Sequence, residues 1–531
     1  QVWTAPVYAA CAYGDASLPV VIDQLGRLLP ETPGQCVAPW VIVAPDAAWL
    51  AAVLSTREMA DVLGHQRVRV FVGGNALDQF RAYLLARLDT QVDGPVIGGR
   101  GVGEVVPLAN VMASAISEAD VAALGEQQSV AVKIKQWGDE RALRSGKASL
   151  GSVLIPTTRY STFLQHSARD LAEAFEQRGV RARVLIEPDD FTTHNVLAYQ
   201  RAIDEVRPDA VVMLNYTRAT APQVLPESVP IVTYIQDAMP HLFSKAAGAG
   251  FGRRDWLVGV CFRELITAYD YPLERCINAP VVSSVRKFHP APVEPALLAR
   301  HRCDIAYVSH QSETPEQTLA RFIAEARENP DPGLASVLPD VVQCLYQEVV
   351  ETVQACDKQW LSWQLHGAVC RSFERVRGAG TVVPPEMASQ MLASIALPLA
   401  DRILRHSMLG WVAQIAETQG YRLHLYGRGW EKHPTLSRFA KGELAHGEEL
   451  RASYQGAAVH LHAGVGSYLH QRVVECALSG GLPLYRRKRE DVAGIDDWVN
   501  QHVLRDCQPD RLDLGLTEPK DRGRPWTAVV N

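Results

Sequence analysis

The chain has 531 residues, with 53 Lys+Arg against 59 Asp+Glu and a net charge of −6. At roughly one domain per ~150 residues, that is room for three or four domains and ample length to bury a core without disulfides. The mild acidity argues against bulk binding of a phosphate backbone, and a content of 47% hydrophobic and 21% charged residues argues against a disordered chain.

Three blocks follow one another. In the first, to about residue 147, Trp40–Asp46 is an apolar run ending in an acid, which reads as a buried parallel strand. An Ala/Leu-rich helix follows, then a strand over Arg67–Gly74 and a helix near Leu77–Leu88. This β-α-β-α order predicts a small α/β unit. The cluster Gly98-Gly99-Arg100-Gly101-Val102-Gly103 is read as a loop, because no clear strand precedes it and no acidic partner follows.

The second block, 148–290, alternates strands near Ser152–Pro156, Arg183–Glu187, Asp209–Leu214, Pro230–Ile235 and Trp256–Val260 with helices over 163–178 and near 196–206. That is the rhythm of a doubly wound sheet. The third, 291–531, follows the linker Pro290-Ala291-Pro292. It has strands at Asp304–Val308, Tyr421–Tyr426, Ala457–His462 and Leu482–Tyr485, and a helical insertion over about 315–418. A helix is expected over Tyr468–Leu478, stopped by Gly480-Gly481.

In such sheets ligands sit at the carboxyl ends of strands. The third block offers three loops there, at Ser309–Ser312, Gly427–Trp430 and Gly464–Ser467. The start of the Tyr468 helix offers free N–H groups to an anion such as a diphosphate, and His470 and Arg472 would add charge. Arg472 and Glu475 also read as a simple helical pair three residues apart, and His470 also reads as a packing histidine.

Glu475-Cys476-Ala477-Leu478-Ser479-Gly480-Gly481-Leu482-Pro483 resembles the E-A-x-x-x-G-x-P signature of GT-B glycosyltransferases, most closely the CgeB-like, spore-maturation-type group. Leu425–Trp430, His470–Glu475, Val285–Pro290 and Ile231–Pro240 resemble further motifs of that group in the same order. The resemblance implies two Rossmann-like domains facing a cleft, plus an extra N-terminal α/β domain. It implies transfer of a sugar from a nucleotide-diphosphate sugar, a UDP-sugar first among them, without a metal or other cofactor. The acceptor would be a protein, glycan or small molecule.

By position, Glu475 would hold the ribose. Gly427 and Gly429 would admit the nucleotide. Gly466, Ser467 and the helix start would hold the diphosphate, and Ser309 and His310 would line the donor site. Asp237 or His241 would act as base, although a capping or packing role for His241 is equally open. Two departures stand out: Ser467 occupies the place of the acidic residue eight positions before Glu475, and Gln236 that of the motif histidine. They keep a non-catalytic nucleotide-sugar-binding protein open; an epimerase or phosphorylase would reuse the same two-domain cleft, and a scaffold protein would use the first block and the 315–418 helices as interaction surfaces. The first block faintly resembles the accessory part of motility-associated glycosyltransferases, and a homo-oligomer built through it is the partner expectation.

No apolar run of about eighteen residues predicts a membrane helix, and no signal-peptide pattern is visible. The ten cysteines include no Cys-x-x-Cys pair; their scatter predicts buried thiols in a reducing, cytoplasmic setting.

Overall fold

The structure, a computed structural model, describes residues 7–10, 39–55, 63–65, 67–91, 96–98, 105–143, 150–159, 161–189, 191–220, 224–237, 239–259, 263–279, 283–311, 313–355, 361–464 and 470–485. The chain folds as two compact units, Gln1–Pro280 and Val281–Asn531. All three of its described sheets are parallel α/β sheets.

The first unit holds two of them. One runs β3-β2-β1-β4, from β1 (Val7–Ala10), β2 (Trp40–Ala44), β3 (Val68–Val72) and β4 (Val96–Gly98), with α1 (Ala47–Leu54) and α2 (Ala76–Leu85) between strands. Strand β2 is buried throughout, as its unbroken apolar run requires in a sheet covered on both faces. The glycine cluster does have a strand ahead of it: β4 is short, pairs with β1 and ends at Gly98. Residues 99–104 lie outside the described residues.

The second sheet has the order β10-β9-β8-β7-β5-β6. It comprises β5 (Ser152–Pro156), β6 (Arg181–Leu185), β7 (Ala210–Leu214), β8 (Ile231–Ile235), β9 (Trp256–Gly259) and β10 (Cys276–Asn278). Strand β6 lies two residues earlier than its sequence pattern suggests, because it pairs with β5 from Ser152–Arg181 to Pro156–Leu185 and stops where β5 stops.

A 39-residue helix, α3 (Val105–Leu143), serves both sheets. Leu108, Met112, Ile116 and Ala119 pack on Val41 and Val43 of the first and on Phe80 of α2 beside it. Further along, Val130, Ile134 and Trp137 pack on Leu154 and Val211 of the second, beside Leu197 of α5 (Val196–Val206). The spacing of three and four residues keeps one stripe inward. Between β5 and β6, α4 (Thr162–Glu176) is capped by Ser161, whose hydroxyl accepts the Leu164 N–H.

The second unit has one sheet in the order β12-β11-β13-β14, from β11 (Cys303–Val308), β12 (Leu423–Tyr426), β13 (Ala457–His462) and β14 (Pro483–Tyr485). The helical insertion between β11 and β12 has its own core. Val341, Val342, Leu345, Leu365 and Val369 of α7 (Leu338–Ala355) and α8 (Leu361–Arg377) meet Phe322 of α6 (Pro315–Arg327). A capping box between Thr314 and Gln317 starts α6. Helix α9 (Leu397–Gln419) is shared, like α3. Its first turns pack in the insertion through Leu399, Ile403 and Leu404, and its last turns pack on the sheet through Leu409, Ala413 and Ala416.

Among the described residues no helix is long and apolar enough to cross a membrane. The described thiols Cys276, Cys303, Cys344, Cys370 and Cys476 are free, and burial pushes Cys303 and Cys476 up to about 12.

Candidate functional site

In the second unit the chain turns from β11 to one neighbour and from β13 to the other, so the carboxyl ends of these two strands border a crevice. Ser309 and His310 follow β11, Gly427 and Gly429 follow β12, α10 (Glu448–Gly456) leads into β13, and α11 (Gln471–Leu478) comes after it. The structure therefore brings Ser309, His310, Gly427, Gly429, His470, Arg472 and Glu475 to one end of one sheet. Gly466 and Ser467 lie outside the described residues.

The two glycines serve the chain's own packing. Gly427 and Gly429 have φ of +123° and +88°, and a Cβ there would lie 2.3 Å from the Ser309 carbonyl oxygen and 2.0 Å from that of Gln311. The space that a Cβ would need at either glycine is filled by backbone. The contact is a clasp. Arg428 N–H donates to His310 Nδ1 at 2.9 Å, Gln311 N–H to the Arg428 carbonyl at 2.8 Å, and the buried Trp430 indole N–H to the Ser309 carbonyl at 2.7 Å. Trp430, fully buried, meets Tyr307 edge-on. The clasp holds the Ser309–His310 turn against the sheet.

Helix α11 begins at Gln471, three residues later than its sequence pattern suggests, and His470 is its cap. The His470 Nδ1 accepts the Arg472 N–H at 3.2 Å, and the His470 carbonyl accepts Val473 N–H at 2.9 Å. Those N–H groups are spent within the protein. The imidazole also adds no charge: burial, then Arg472, His462 and Arg405, push its pKa down to about 2. The sequence-based expectation of a charged His470 beside an open helix end is corrected on both counts.

Positive charge comes from side chains instead. Arg405 of α9 donates from Nη1 to Ser309 Oγ at 3.3 Å and to the His310 carbonyl at 3.4 Å, while Nη2 pairs with Asp401 at 2.7 Å. Its Nε is buried with no partner among the described residues. The Arg472 guanidinium makes no ion pair among the described residues and lines a small pocket with Val308, Tyr454, His462 and Cys476. The pKa of His310 is lowered by burial first, then by Arg428, against an opposing pull from Glu443, with Arg472 and Arg405 adding smaller contributions. Arg428 is paired with Glu443 and Arg405 with Asp401, so among the described residues the unpaired positive charge at this end of the sheet is that of Arg472. Sequence analysis missed Arg405 because it stands 96 positions from Ser309, inside a helix whose pattern signals only packing.

Glu475 is 3% exposed and both its carboxylate oxygens have protein partners. Gln471 Nε2 donates to Oε1 at 2.6 Å and the Tyr454 hydroxyl to Oε2 at 3.2 Å. Tyr454 is held far above the ordinary phenol value, by burial first and then by Glu475, so it is a donor at every working pH.

In the first unit Asp237 and His241 follow β8, and both depend on Asn215 at the end of β7. The Asn215 Oδ1 accepts the Gln236 and Asp237 N–H groups at 2.7 and 3.1 Å, and its carbonyl lies 2.7 Å from His241 Nε2. The carbonyl can only accept, so His241 carries its proton on Nε2 and, when neutral, offers Nδ1 as a base. Tyr216 stacks on the ring at 4.8 Å. Asn215 has φ +61°, a conformation asparagine tolerates better than other side chains. An Asn directly after a buried strand is the one sequence signal that would have pointed to it. Gln236 spends its amide N–H on Ser167 Oγ at 2.6 Å.

The buried His460 and the half-buried His406, His424 and His470 of the second unit predict acid sensitivity. Burial leads the causes that push His406, His424 and His460 down to about 4, and His470 lower still. In the unfolded chain they titrate near ~6.5, so below that pH the unfolded state takes up protons first. Their contribution to stability is complete above ~6.5 and is lost as pH falls towards 4. The urea midpoint of tryptophan fluorescence is expected to fall steadily over that window; a flat midpoint would contradict the assignment of neutral, buried rings.

Among the described residues there is no group of three or more His, Cys, Asp or Glu able to hold a metal ion. No protein-family model and no curated protein matches the chain. Two solved structures resemble it. The Anabaena protein HepE, in a complex with UDP and glucose, is 10% identical, with 67% of this chain and 91% of that chain covered at a TM-score of 0.28. The glycosyltransferase SnogD from Streptomyces nogalater is 12% identical, with 66% and 85% covered, also at 0.28.

Proposed function

We propose that the second unit binds a nucleotide-diphosphate sugar, a UDP-sugar first among them, and that the protein transfers the sugar to a hydroxyl acceptor on a protein, glycan or small molecule. One observation carries the reading: the Arg472 guanidinium, with no ion pair among the described residues, lines a small pocket with Val308 and His462 at the carboxyl ends of the parallel strands β11 and β13, in a chain whose net charge is −6. A locally positive crevice at a topological switch point suits an anion such as a diphosphate. As the sugar leaves, the diphosphate gains charge, and guanidinium groups already in place stabilise it without a metal. Asp237 or His241 of the first unit would take the proton from the acceptor hydroxyl, His241 through Nδ1.

Incubation with a panel of nucleotide sugars, in EDTA and with candidate acceptors, should release the nucleotide diphosphate. A binding protein without transfer is the second reading, favoured by Gln236, whose amide is committed to Ser167. It predicts saturable binding with no release. A changed sugar without acceptor would indicate an epimerase. Absence of both binding and release would remove the proposal.

A further inference from the structure

Helix α3 runs for 39 residues, and its inward stripe serves the two sheets of the first unit. Its opposite stripe is Glu118, Val121, Gly125, Gln128, Val132 and Lys135, all exposed. Steps of three and four residues hold these side chains on one line. Val121 is 66% exposed and Val132 57%, and Leu124, 55% exposed, flanks them. Gly125 sits midway. A glycine inside a helix is costly against alanine, yet a Cβ there would meet nothing within 4 Å, so the packing of a single chain does not call for it.

The stripe matches itself when reversed. About a two-fold axis between residues 126 and 127, Val121 faces Val132 of a second copy and Glu118 faces its Lys135, while the bare Gly125 leaves room for its Gln128 side chain. Sliding the pair by one heptad would set Val121 against Asp139 or Val132 against Ser114. A parallel pair would set Glu118 on Glu118 and Lys135 on Lys135, like charges that repel, and would align the two helix dipoles. Within one chain Glu118 pairs with Arg81 at 3.2 Å and Lys135 with Asp139 at 2.7 Å, all on exposed side chains, and such surface pairs are weak.

We propose that the outward stripe of α3 is a self-association surface, covered by the same stripe of a second copy of this chain, helix antiparallel to helix. Three apolar side chains from each copy then leave water, and opposite charges close both ends of the seam. The proposal stands apart from the nucleotide reading and locates in α3 the self-association expected of the first block.

Sedimentation equilibrium of the full chain is expected to show monomer and dimer in exchange. Val121→Glu and Val132→Glu should each weaken the dimer about tenfold and leave the melting temperature of the dilute protein unchanged, because both positions are exposed in a single chain. Gly125→Leu should weaken the dimer as strongly while raising that melting temperature, since leucine favours the helix and obstructs the second copy. Glu118→Lys and Lys135→Glu should each weaken the dimer severalfold and, combined, restore most of the loss. A protein that is monomeric at every concentration would overturn the proposal. So would a dimer indifferent to both valine substitutions, which would be built elsewhere. A double charge reversal no tighter than either single one would reject the antiparallel register and the proposal with it. A sharp fall in the dilute melting temperature of Val121→Glu would show the stripe to be covered within one chain, and would overturn it as well.

Discussion

Gly429→Ala is expected to lower the melting temperature of the second unit by about 10 °C and to remove ligand binding with it. Two costs add. The residue sits at φ +88°, where a Cβ costs roughly 1–2 kcal/mol. The Cβ would also lie 2.0 Å from the Gln311 carbonyl oxygen, so backbone must move, and that clasp carries the buried Trp430–Ser309 bond. Together these reach about 3–5 kcal/mol, at the upper end for single substitutions, or about 10 °C for a unit of this size. Gly420→Ala is the control. Its φ of +71° is equally left-handed, but no atom lies within 4 Å of the added Cβ, so only the conformational term applies, about 1 kcal/mol. Calorimetric melting of both variants separates the terms. Equal melting temperatures would show that the close approach to Gln311 is absent.

Arg405→Ala is expected to weaken UDP about 100-fold, equivalent to about 2.7 kcal/mol, and to lower the melting temperature as well, because Asp401 and the Ser309–His310 turn lose their partner. Charge-assisted bonds to phosphate are among the strong ones. Arg405 reaches the Ser309–His310 turn from the helical insertion, so its loss removes a cation and also loosens the turn. Arg405→Lys keeps the charge and loses the fork, and is expected to recover part of the affinity. Arg300→Ala, a guanidinium 68% exposed ahead of the start of β11, should leave binding unchanged. Titration at two salt concentrations adds a check, since a cationic site weakens as salt rises. Full affinity in Arg405→Ala would remove this arginine from the site.

Much of the fold is legible in the chain. Buried parallel strands such as β2 and β7 are unbroken apolar runs, and the pattern over 196–206 predicts α5 in the span it occupies. Helix α3 is not marked in the sequence because its outer face also carries apolar residues, Val111, Val121, Leu124 and Val132 being exposed, which blurs the contrast with the inward stripe. The short strands β1, β4 and β10 were missed because three or four residues carry too little pattern; neighbouring strands complete them. The first two sequence blocks form a single compact unit, for which the shared packing of α3 gives a physical reason.

By itself the sequence determined the α/β class, the positions of most strands and helices, and the loops in which candidate ligand groups stand, because periodicity, glycine and strand-end position are local properties. Tertiary structure decided what those groups do. Gly427 and Gly429 have backbone rather than open space beside them, His470 is a neutral cap, Glu475 has both oxygens occupied, and Arg405 arrives from a helix 96 residues beyond Ser309. Burial and hydrogen-bond partners come from packing between distant segments, and they set both the charge of an imidazole and the freedom of a carboxylate.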